Sequence, residues 1–517
     1  MNTSKLSKMA ILDQNALQKA ENGIFVVDKN YNLNGASLIA PRGISLRFEN
    51  GSITNGTLIL NDNLLEGLEK GCLDVCIEGT LRNETIYTSL LPNGINSLAN
   101  INLTGKTIYC DVNNEVLNNT IILNTTNTSL TTVFDGMGNS FTCNVTFFQI
   151  YGQSHITIRN FNAVANVSNI VFEEMITTSS DVIDVQVYNN TVDGFKIGIS
   201  LNNDSADYTV SYSLVSNNHV YNCHGTTAGN GYGIHMANAR HCTISGNEVV
   251  NCERHAIYHA YGENNSIINN IIRNHCQNIT AYNLLAALEI GRKSKNVTVS
   301  GNTFINCNNI CLLVYSPLPI NDGQQAATQY AFRYGKCENI VIDNNSFDRG
   351  TLTGAIGNLP FIYIGVEGTS YSTLSTAGTV VVDVKILNNT FRKYGGENQK
   401  CIKIHQCEDL TIQGNNFKLG LPSSPQSSEY LVIHIPNSYI NGNVCDMKIR
   451  NNIFSYHTTG VGNLYLIGQN MALINSTNSP YYIIKWITNI LQNQTIGGVT
   501  MYQLSYNTPG NNFHYIT

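Results

Sequence analysis

A short pattern of apolar and polar positions recurs along the chain. An apolar residue and two small or polar residues precede an Asn, which is followed by one further residue and then by Val, Ile or Phe, as in SGNEV and DNNSF. The β-branched and aromatic residues around the Asn favour strands over helices. Neighbouring copies lie 23 to 44 residues apart, which indicates a solenoid whose coils carry loop insertions. The pattern centres on Asn190, Asn218, Asn247, Asn270, Asn302, Asn345, Asn389, Asn415 and Asn452.

The chemistry of the pattern predicts which side chains stack. An Asn tolerates left-handed backbone angles at a tight turn, and its amide can hydrogen-bond to an identical Asn one coil away. We expect the Val or Phe two residues later to point into the core, together with Cys223, Cys252 and Cys307, with Cys276 close by. The predicted fold is all-β, a right-handed parallel β-helix with a short N-terminal helix and a C-terminal β cap.

Changes in the pattern divide the chain into three predicted segments. Residues 1–87 form an N-terminal attachment segment of short coils, 88–460 the parallel β-helix, and 461–517 a cap or oligomerisation segment rich in Tyr and Ile. A helix is expected from about Asp13 to Ala20. Excess length predicts two large loops, at 316–332 and 350–379.

Composition restricts the class of protein. The 517 residues carry a net charge of −6 with 12% charged residues and no basic patch, so nucleic acid is not an expected partner. No apolar run reaches about 18 residues, so no membrane insertion is expected. The N-terminus lacks the apolar stretch of a signal peptide, and the 14 Cys show no metal-binding spacing, which favours free thiols in a reducing compartment.

One segment resembles a known family. LRFENGSITNGTL at 46–58 is similar to the F-x-G-G-S-I-x-N-G-T opening of right-handed parallel β-helix proteins common in Bacteroidetes bacteria and their phages. It follows NLNG at 32–35 and precedes IEGT at 77–80, as in that family, although Asn50 stands where the family usually has Gly. The chain most resembles tail-spike and receptor-binding proteins of phages infecting Bacteroidetes. The resemblance implies a homotrimer whose N-terminus attaches to other tail or baseplate proteins.

Alignment of the coils on the Asn predicts a polar stripe. Equivalent outward positions on successive coils lie about 4.8 Å apart. GIHM at 233–236 aligns with AIYH at 256–259. With a shift of one residue it also aligns with ALEI at 287–290 and, further along, it aligns with CIKI at 401–404. The predicted surface stripe is His235, Tyr258, Glu289 and Lys403, with Arg254, His255, Arg292, Lys293 and Tyr363 as further substrate-binding or catalytic candidates. By the same phase, His259 points inward.

Two kinds of polysaccharide chemistry fit these residues. Elimination beside a uronate needs a base and a cation near the carboxylate, roles open to His235, Tyr258 and Arg292. Hydrolysis needs two carboxylates, and Glu289 is the only acid on the stripe, with Glu263 and Glu253 nearby. The remaining substrate-binding candidates are Arg254, His255, Lys293, Tyr363 and Lys403. The alternative is that all are ordinary surface residues. No metal-ligand spacing or cofactor motif is present, and GNGYGIH at 229–235 reads as a coil turn.

Three functions are compatible with the sequence. The first is a phage tail spike, made in the host cytoplasm and assembled into the virion, that recognises a bacterial surface polysaccharide with or without depolymerising it. The second is a secreted bacterial polysaccharide lyase or glycoside hydrolase. The third is a non-catalytic structural component of the virion.

Overall fold

A computed structural model describes most of the chain. The described residues are 10–11, 17, 23–124, 129–166, 174–202, 209–225, 230–275, 286–315, 335–349, 359–365, 381–393, 401–404, 407–419, 430–435, 446–456, 463–469, 483–491, 495–496 and 499–502. Within these ranges no helix has the length and apolar character needed to cross a membrane. The chain divides into two compact units, Met1–Val192 and Asp193–Thr517.

Unit 1 is built from short parallel strands and two 3-10 helices, Thr88–Leu90 and Gly94–Asn100. Its strands are β1 Ala10–Ile11, β2 Ile24–Val27, β3 Asn30–Asn32, β4 Ser37–Ile39, β5 Ser45–Phe48, β6 Ser52–Glu66, β7 Leu73–Leu81, β8 Thr85–Tyr87, β9 Ile101–Asn102, β10 Thr107–Tyr109, β11 Glu115–Leu117, β12 Ile121–Leu123, β13 Thr132–Asp135, β14 Ser140–Cys143, β15 Phe148–Ile150, β16 Ile156–Arg159, β17 Asn162–Ala165, β18 Glu174–Thr178, β19 Val182–Ile183, β20 Val185–Tyr188 and β21 Thr191–Asp193.

The register of unit 1 is that of a coil. Ile108 pairs in parallel with Phe134, Phe134 with Ile158, and Ile158 with Val187. Equivalent interior residues of successive coils therefore stack on one another. All four side chains are fully buried. The strands before β8 also pair in parallel, for example β2 with β5 and β3 with β6, and β8 pairs in parallel with β10.

Unit 2 continues with the same kind of strand. The strands are β22 Ile197–Asn202, β23 Val210–Ser211, β24 Leu214–Ser216, β25 His219–Tyr221, β26 Tyr232–Ala237, β27 Ala239–Arg240, β28 Thr243–Ser245, β29 Glu248–Val250, β30 His255–Ala260, β31 Glu263–Ile268, β32 Ile271–Arg273, β33 Ala286–Gly291, β34 Lys295–Ser300, β35 Thr303–Ile305, β36 Ile310–Tyr315, β37 Cys337–Asp343, β38 Ser346–Asp348, β39 Ile362–Gly365, β40 Val381–Leu387, β41 Thr390–Lys393, β42 Ile402–Ile404, β43 Glu408–Gln413, β44 Asn416–Leu419, β45 Tyr430–Ile435, β46 Asp446–Tyr456, β47 Asn463–Gln469, β48 Ile483–Leu491, β49 Thr495–Ile496 and β50 Val499–Tyr502.

The pairing within unit 2 confirms the predicted right-handed parallel β-helix. One sheet, called sheet A below, joins β22, β26, β30, β33, β36, β39, β42, β45 and β47 in that order, each strand parallel to the next. Strands that are close in space are therefore 20 or more residues apart in sequence, as a coil requires. β49 and β50 pair antiparallel, and both lie within the segment predicted as a C-terminal cap.

The recurring Asn forms a buried ladder in unit 2, as its repetition predicts. In Asn302 the amide Nδ2 donates to Asn345 Oδ1 at 3.0 Å and to the Ile267 carbonyl at 2.9 Å. The Oδ1 of Asn302 accepts from both the backbone N–H and the Nδ2 of Asn270, each at 2.9 Å. Every polar group of the amide is therefore satisfied without water, which removes the cost of burying it. The ladder comprises Asn218, Asn247, Asn270, Asn302, Asn345, Asn389, Asn415 and Asn452.

The left-handed turn belongs to the residue before each ladder Asn, which corrects the simplest reading of the pattern. Asn269 has φ 56°, Gly301 68° and Asn344 53°. Asn and Gly are the residues that adopt this conformation most readily. The dipeptide Asn-Asn or Gly-Asn thus separates two tasks, since its first residue turns the chain and its second builds the ladder.

Apolar residues stack below the ladder, as expected. The rings of Phe304, Phe347, Phe391 and Phe417 are 4.7 to 5.0 Å apart and nearly parallel. Cys223, Cys252 and Cys307 are buried free thiols, as are most of the described cysteines. Cys276 lies outside the described residues.

The structure bears on the predicted N-terminal helix and on the two predicted loops. The helix predicted at 13–20 lies outside the described residues apart from Leu17. The prediction of one loop over 350–379 is wrong in its middle, because Ile362–Gly365 is strand β39 of sheet A. The run FIYI does not alternate between apolar and polar residues as a half-exposed strand does. It lacks this alternation because the strand is buried on both faces, as in a covered parallel sheet. The loop predicted at 316–332 lies outside the described residues.

Candidate active site

Sheet A places the three principal candidates in one row. His235 pairs with Tyr258, and Tyr258 pairs with Glu289, on β26, β30 and β33. The alignment made from the Asn pattern therefore has the correct register. The row continues through Leu313 and Tyr363 to Lys403.

The row points away from the interior of the coil. Side chains on either side of each member are fully or almost fully buried, among them Ile257 and His259 around Tyr258, and Leu288 and Ile290 around Glu289. Because neighbouring side chains of a strand point to opposite faces, the row occupies the outer face of sheet A.

The expectation of a solvent-exposed stripe is wrong for three of its four members, whereas Lys403 is half-buried. His235 is 8% exposed, Tyr258 8% and Glu289 7%. Aromatic rings on the same face cover one another. Tyr232 stacks on Tyr258 with ring centres 5.2 Å apart, and His235 and His255 meet Tyr258 at 5.2 and 5.3 Å. Water therefore has little access to this part of the outer face, as in a protein core.

Tyr232 is a member of the site that the sequence pattern did not single out. It pairs with His255 one strand away, and both precede the row by three residues. Arg254 lies over the Tyr232 ring at 5.6 Å. The signal that could have found it is the repeat of a bulky polar residue three positions before His235 and before Tyr258.

Glu289 and His255 form the chemical centre of the site. The Nε2 of His255 lies 3.5 Å from Oε2 of Glu289. Its Nδ1 lies 2.9 Å from the carbonyl oxygen of Ala286. A carbonyl only accepts hydrogen bonds, so Nδ1 carries a proton, and in the neutral ring Nε2 presents a lone pair to the carboxyl group. The two side chains are therefore arranged to share one proton.

Burial sets where that proton lies. Burial raises the pKa of Glu289 to about 7, against the opposing effect of Arg292 and Arg254. Burial, with Arg254 nearby, also holds the pKa of His255 well below its usual range. Both shifts favour the uncharged pair, with the proton on Glu289. A carboxyl group that titrates near neutral pH suits proton transfer in a reaction.

The pKa of Tyr258 is also shifted towards the uncharged form. Burial, followed by the Glu289 carboxylate, raises the pKa of the Tyr258 phenol well above its ordinary value. Tyr258 therefore stays protonated and can donate a hydrogen bond or a proton. The hypothesis that Tyr258 acts as a base does not fit this environment. His235, whose Nδ1 lies 3.5 Å from Ser200 Oγ, meets the edge of Tyr258.

The remaining candidates separate into two groups. The Nη1 of Arg292 donates to the hydroxyl of Tyr261 at 2.8 Å. Tyr363 and Lys403 form a second pair along the row, with Lys403 Nζ 4.8 Å from the Tyr363 ring centre. Of the two acids proposed as partners of Glu289, Glu253 accepts from the backbone of Gly225 at 2.6 Å, and Glu263 belongs to a different sheet.

The inward phase predicted for His259 is confirmed. The ring is fully buried, with Nε2 2.9 Å from Asn265 Nδ2 and Nδ1 3.2 Å from Ser294 Oγ. Burial lowers its pKa to about 4. Across the residues that the structure describes, no cluster of three or more His, Cys, Asp or Glu is placed to hold a metal ion.

A polar cleft lies just beyond the C-terminal ends of β26, β30 and β33. Its volume is about 360 Å³. Asn238 and Tyr261 line it and directly follow β26 and β30, and Lys293 lines it two residues after the end of β33. The charged residues in its wall are Arg240, Glu263, Lys293, Lys295, Lys336 and Glu338.

No protein-family model matches this chain, and no curated protein is similar to it in sequence. In structure it is similar to the Dettilon tailspike protein, with 12% identity and a TM-score of 0.40, over 81% of this chain and 68% of that one. It is similar to the catalytic domain of a GH87 α-1,3-glucanase crystallised with nigerose, with 14% identity and a TM-score of 0.46, over 76% and 64%. A third similar structure is ORF18 of Geobacillus virus E2, with 12% identity and a TM-score of 0.34, over 74% and 54%. The matched region spans less than two thirds of the glucanase domain and of the viral protein.

Proposed function

We propose that this chain binds a bacterial surface polysaccharide and depolymerises it, with Glu289 as the group that transfers the proton. The observation that carries the proposal is the Glu289–His255 pair on the outer face of a parallel sheet, where burial brings the pKa of the carboxyl group to about 7. The side chain of Glu289 keeps 9% of its surface exposed, which leaves an edge for a substrate.

The reaction that this arrangement fits best is elimination beside a uronate. Ionised Glu289 takes the proton from C5, the electron pair forms the C4–C5 double bond, and the C4–O bond breaks. The Tyr258 hydroxyl gives its proton to the leaving oxygen and regains one from Glu289. Arg292 and Arg254, whose charges act on Glu289, stabilise the negative charge that develops on the uronate carboxylate. His255 is a positioning residue that orients Glu289.

Hydrolysis fits less well. It requires a second carboxylate about 5 to 9.5 Å from the first. Glu289 is the only acid among the described members of its row, and Glu253 is engaged with the backbone of Gly225.

The setting that we propose is a phage tail. The sequence resemblance to tail-spike proteins supports it, and with it a homotrimer assembled into the virion and joined to other tail or baseplate proteins through the N-terminal segment. A long parallel sheet also offers an extended row of side chains to an extended sugar chain. The alternatives are secretion as a free polysaccharide lyase or glycoside hydrolase and a purely structural role in the virion. The following experiment separates the structural role from the two catalytic ones.

Incubation of the purified protein with capsular polysaccharides tests the proposal. Elimination produces ultraviolet absorbance from the new double bond together with new chain ends. Glu289→Gln should lower this rate by about 10²- to 10⁴-fold without lowering the melting temperature. Glu115→Gln is the matched control, because Glu115 is also a partly buried acid with a raised pKa but lies in unit 1. Reducing ends without absorbance would mean hydrolysis, and polysaccharide binding without either product would refute catalysis.

The pH dependence gives an independent check on the role of Glu289. As a base, Glu289 must be ionised, so the rate should rise with pH through about 7. As a general acid in hydrolysis it must be protonated, so the rate would fall over the same range. A rate that is flat between pH 5.5 and 8.5 would contradict both roles.

A further inference from the structure

We propose that the cleft beyond β26, β30 and β33 is a binding subsite for the carboxylate of an acidic sugar residue. The inference rests on the proposed function, because the ligand is a neighbouring residue of the same polysaccharide. It adds a second acidic sugar, bound at a place separate from the Glu289–His255 pair.

The lining of the cleft is positively charged. The chain as a whole has a net charge of −6, yet four cations and two acids line this cleft. Lys295 Nζ lies 3.6 Å from Glu338 Oε2, so these two largely neutralise each other. In the described part of the chain, Arg240, Lys293 and Lys336 make no ion pair, and only Glu263 opposes them. The cleft is therefore left with a net positive charge of two.

The charged side chains surround the cleft on two sides. Arg240, Glu263, Lys295 and Glu338 occupy paired positions on four successive strands, β27, β31, β34 and β37. This regular row forms one wall, with side chains about 4.8 Å apart. Lys293 and Lys336 stand outside the row, and both are exposed. A carboxylate entering the cleft would meet cations on two sides.

The backbone holds Lys293 in an uncommon conformation. Arg292 and Lys293 both have left-handed φ angles, 49° and 56°, whereas most other left-handed residues here apart from Gly are Asn or Asp. Two successive cations in this conformation carry backbone strain, which folded proteins retain where the surrounding structure requires it. The stem of Lys293 packs over Gly335, where an added Cβ would lie 2.9 Å from Lys293 Cγ. Lys293 is thus held at the cleft by its own turn and by a glycine opposite.

The position of the cleft relates it to the row. Asn238 and Tyr261 each follow their row residue, His235 or Tyr258, by three positions along the chain. Three residues of strand span about 10 Å. A sugar chain that places one residue at Glu289 can therefore place a nearby residue in the cleft.

The test measures binding without turnover. Calorimetry on the Glu289→Gln protein uses oligomers of galacturonate, hyaluronate and alginate, each as the free acid and as its methyl ester. At least one free acid should bind, with its ester at least 10-fold weaker and with affinity falling as salt is raised. In the same background, the double variant Lys293→Asn with Lys336→Gln should bind the free-acid oligomer more weakly. The affinity should fall by about 10-fold or more for each cation removed. Asn suits the left-handed angle at position 293, so the fold is kept.

A lysine far from the cleft in sequence provides the control. Lys70→Glu changes an exposed lysine in unit 1 and should leave binding unchanged. The inference is overturned if no free acid binds, if the ester binds equally well, or if the double variant binds like its parent. Tighter binding of a sulfated oligosaccharide would overturn the assignment to a carboxylate. Acid binding that needs Lys293 and Lys336, alongside cleavage unaffected by Glu289→Gln, would refute the proposed catalysis alone.

Discussion

The buried Asn ladder and the outer row of sheet A are both made of residues stacked from coil to coil, but they differ in composition. The ladder repeats one residue eight times, and each amide satisfies the next. The row changes at each coil, from His235 to Tyr258, Glu289, Leu313, Tyr363 and Lys403. Repetition of an amide stabilises the coil, whereas variation along the row provides different chemical groups at fixed spacing.

The two rows also differ in how burial acts on them. An amide with all its hydrogen bonds made loses little on burial. An acid without a full set of partners titrates at a higher pH instead, as Glu289 does. The ladder therefore supplies stability, and the row holds a group whose charge is unfavourable in its surroundings.

Breaking the ladder should have the largest effect on stability. Asn302→Ala removes a partner of Asn270 and Ile267 on one side and of Asn345 on the other. With several buried groups unsatisfied, the free energy of unfolding should fall by about 4 kcal/mol, measured by urea denaturation.

A second Asn stack at the surface gives the matched control. Asn296 Nδ2 donates to Asn264 Oδ1 at 2.8 Å, and Asn264 is exposed. Asn296→Gly keeps the left-handed angle of 52° and should cost less than about 1 kcal/mol. Equal losses for the two variants would show that burial of the ladder is not the source of its contribution.

Glu289→Gln should change stability by a smaller amount that depends on pH. The pKa of Glu289 is raised in the folded protein, so its contribution is fully present below about pH 4.3 and is lost as pH rises through about 7. Gln matches the protonated form, since its amide can donate to His255. Between pH 4.5 and 8, wild type should lose about 3 kcal/mol relative to the variant. A difference that stays constant over this range would mean that Glu289 titrates normally.

The fold was predictable because its signal is repeated. The Asn pattern placed Asn247 and Asn270 in phase, and that phase gave the register of His235 and Tyr258. Glu289 joined the row only after a shift of one residue relative to Asn302. The burial of the row was not predictable, because it depends on contacts between rings such as Tyr232 and Tyr258 that no periodicity encodes. Strand β39 was missed because it stands between two long insertions in the sequence.

The role of His255 shows the same limit. The sequence placed it near the stripe as a substrate-binding candidate. Its tautomer depends on the Ala286 carbonyl, 31 residues away in sequence. Such a partner is fixed by the coil and cannot be inferred from neighbouring residues.

The most direct test of the account is the ionisation of Glu289 itself. Infrared difference spectra between wild type and Glu289→Gln, recorded from pH 4 to 9, isolate the carbonyl stretch of the protonated carboxyl group. The account predicts that this band is present at pH 5.5 and disappears with a midpoint of about 7. A midpoint near the ordinary value of about 4.3 would show that the Glu289–His255 pair does not retain its proton, and would contradict the proposed site.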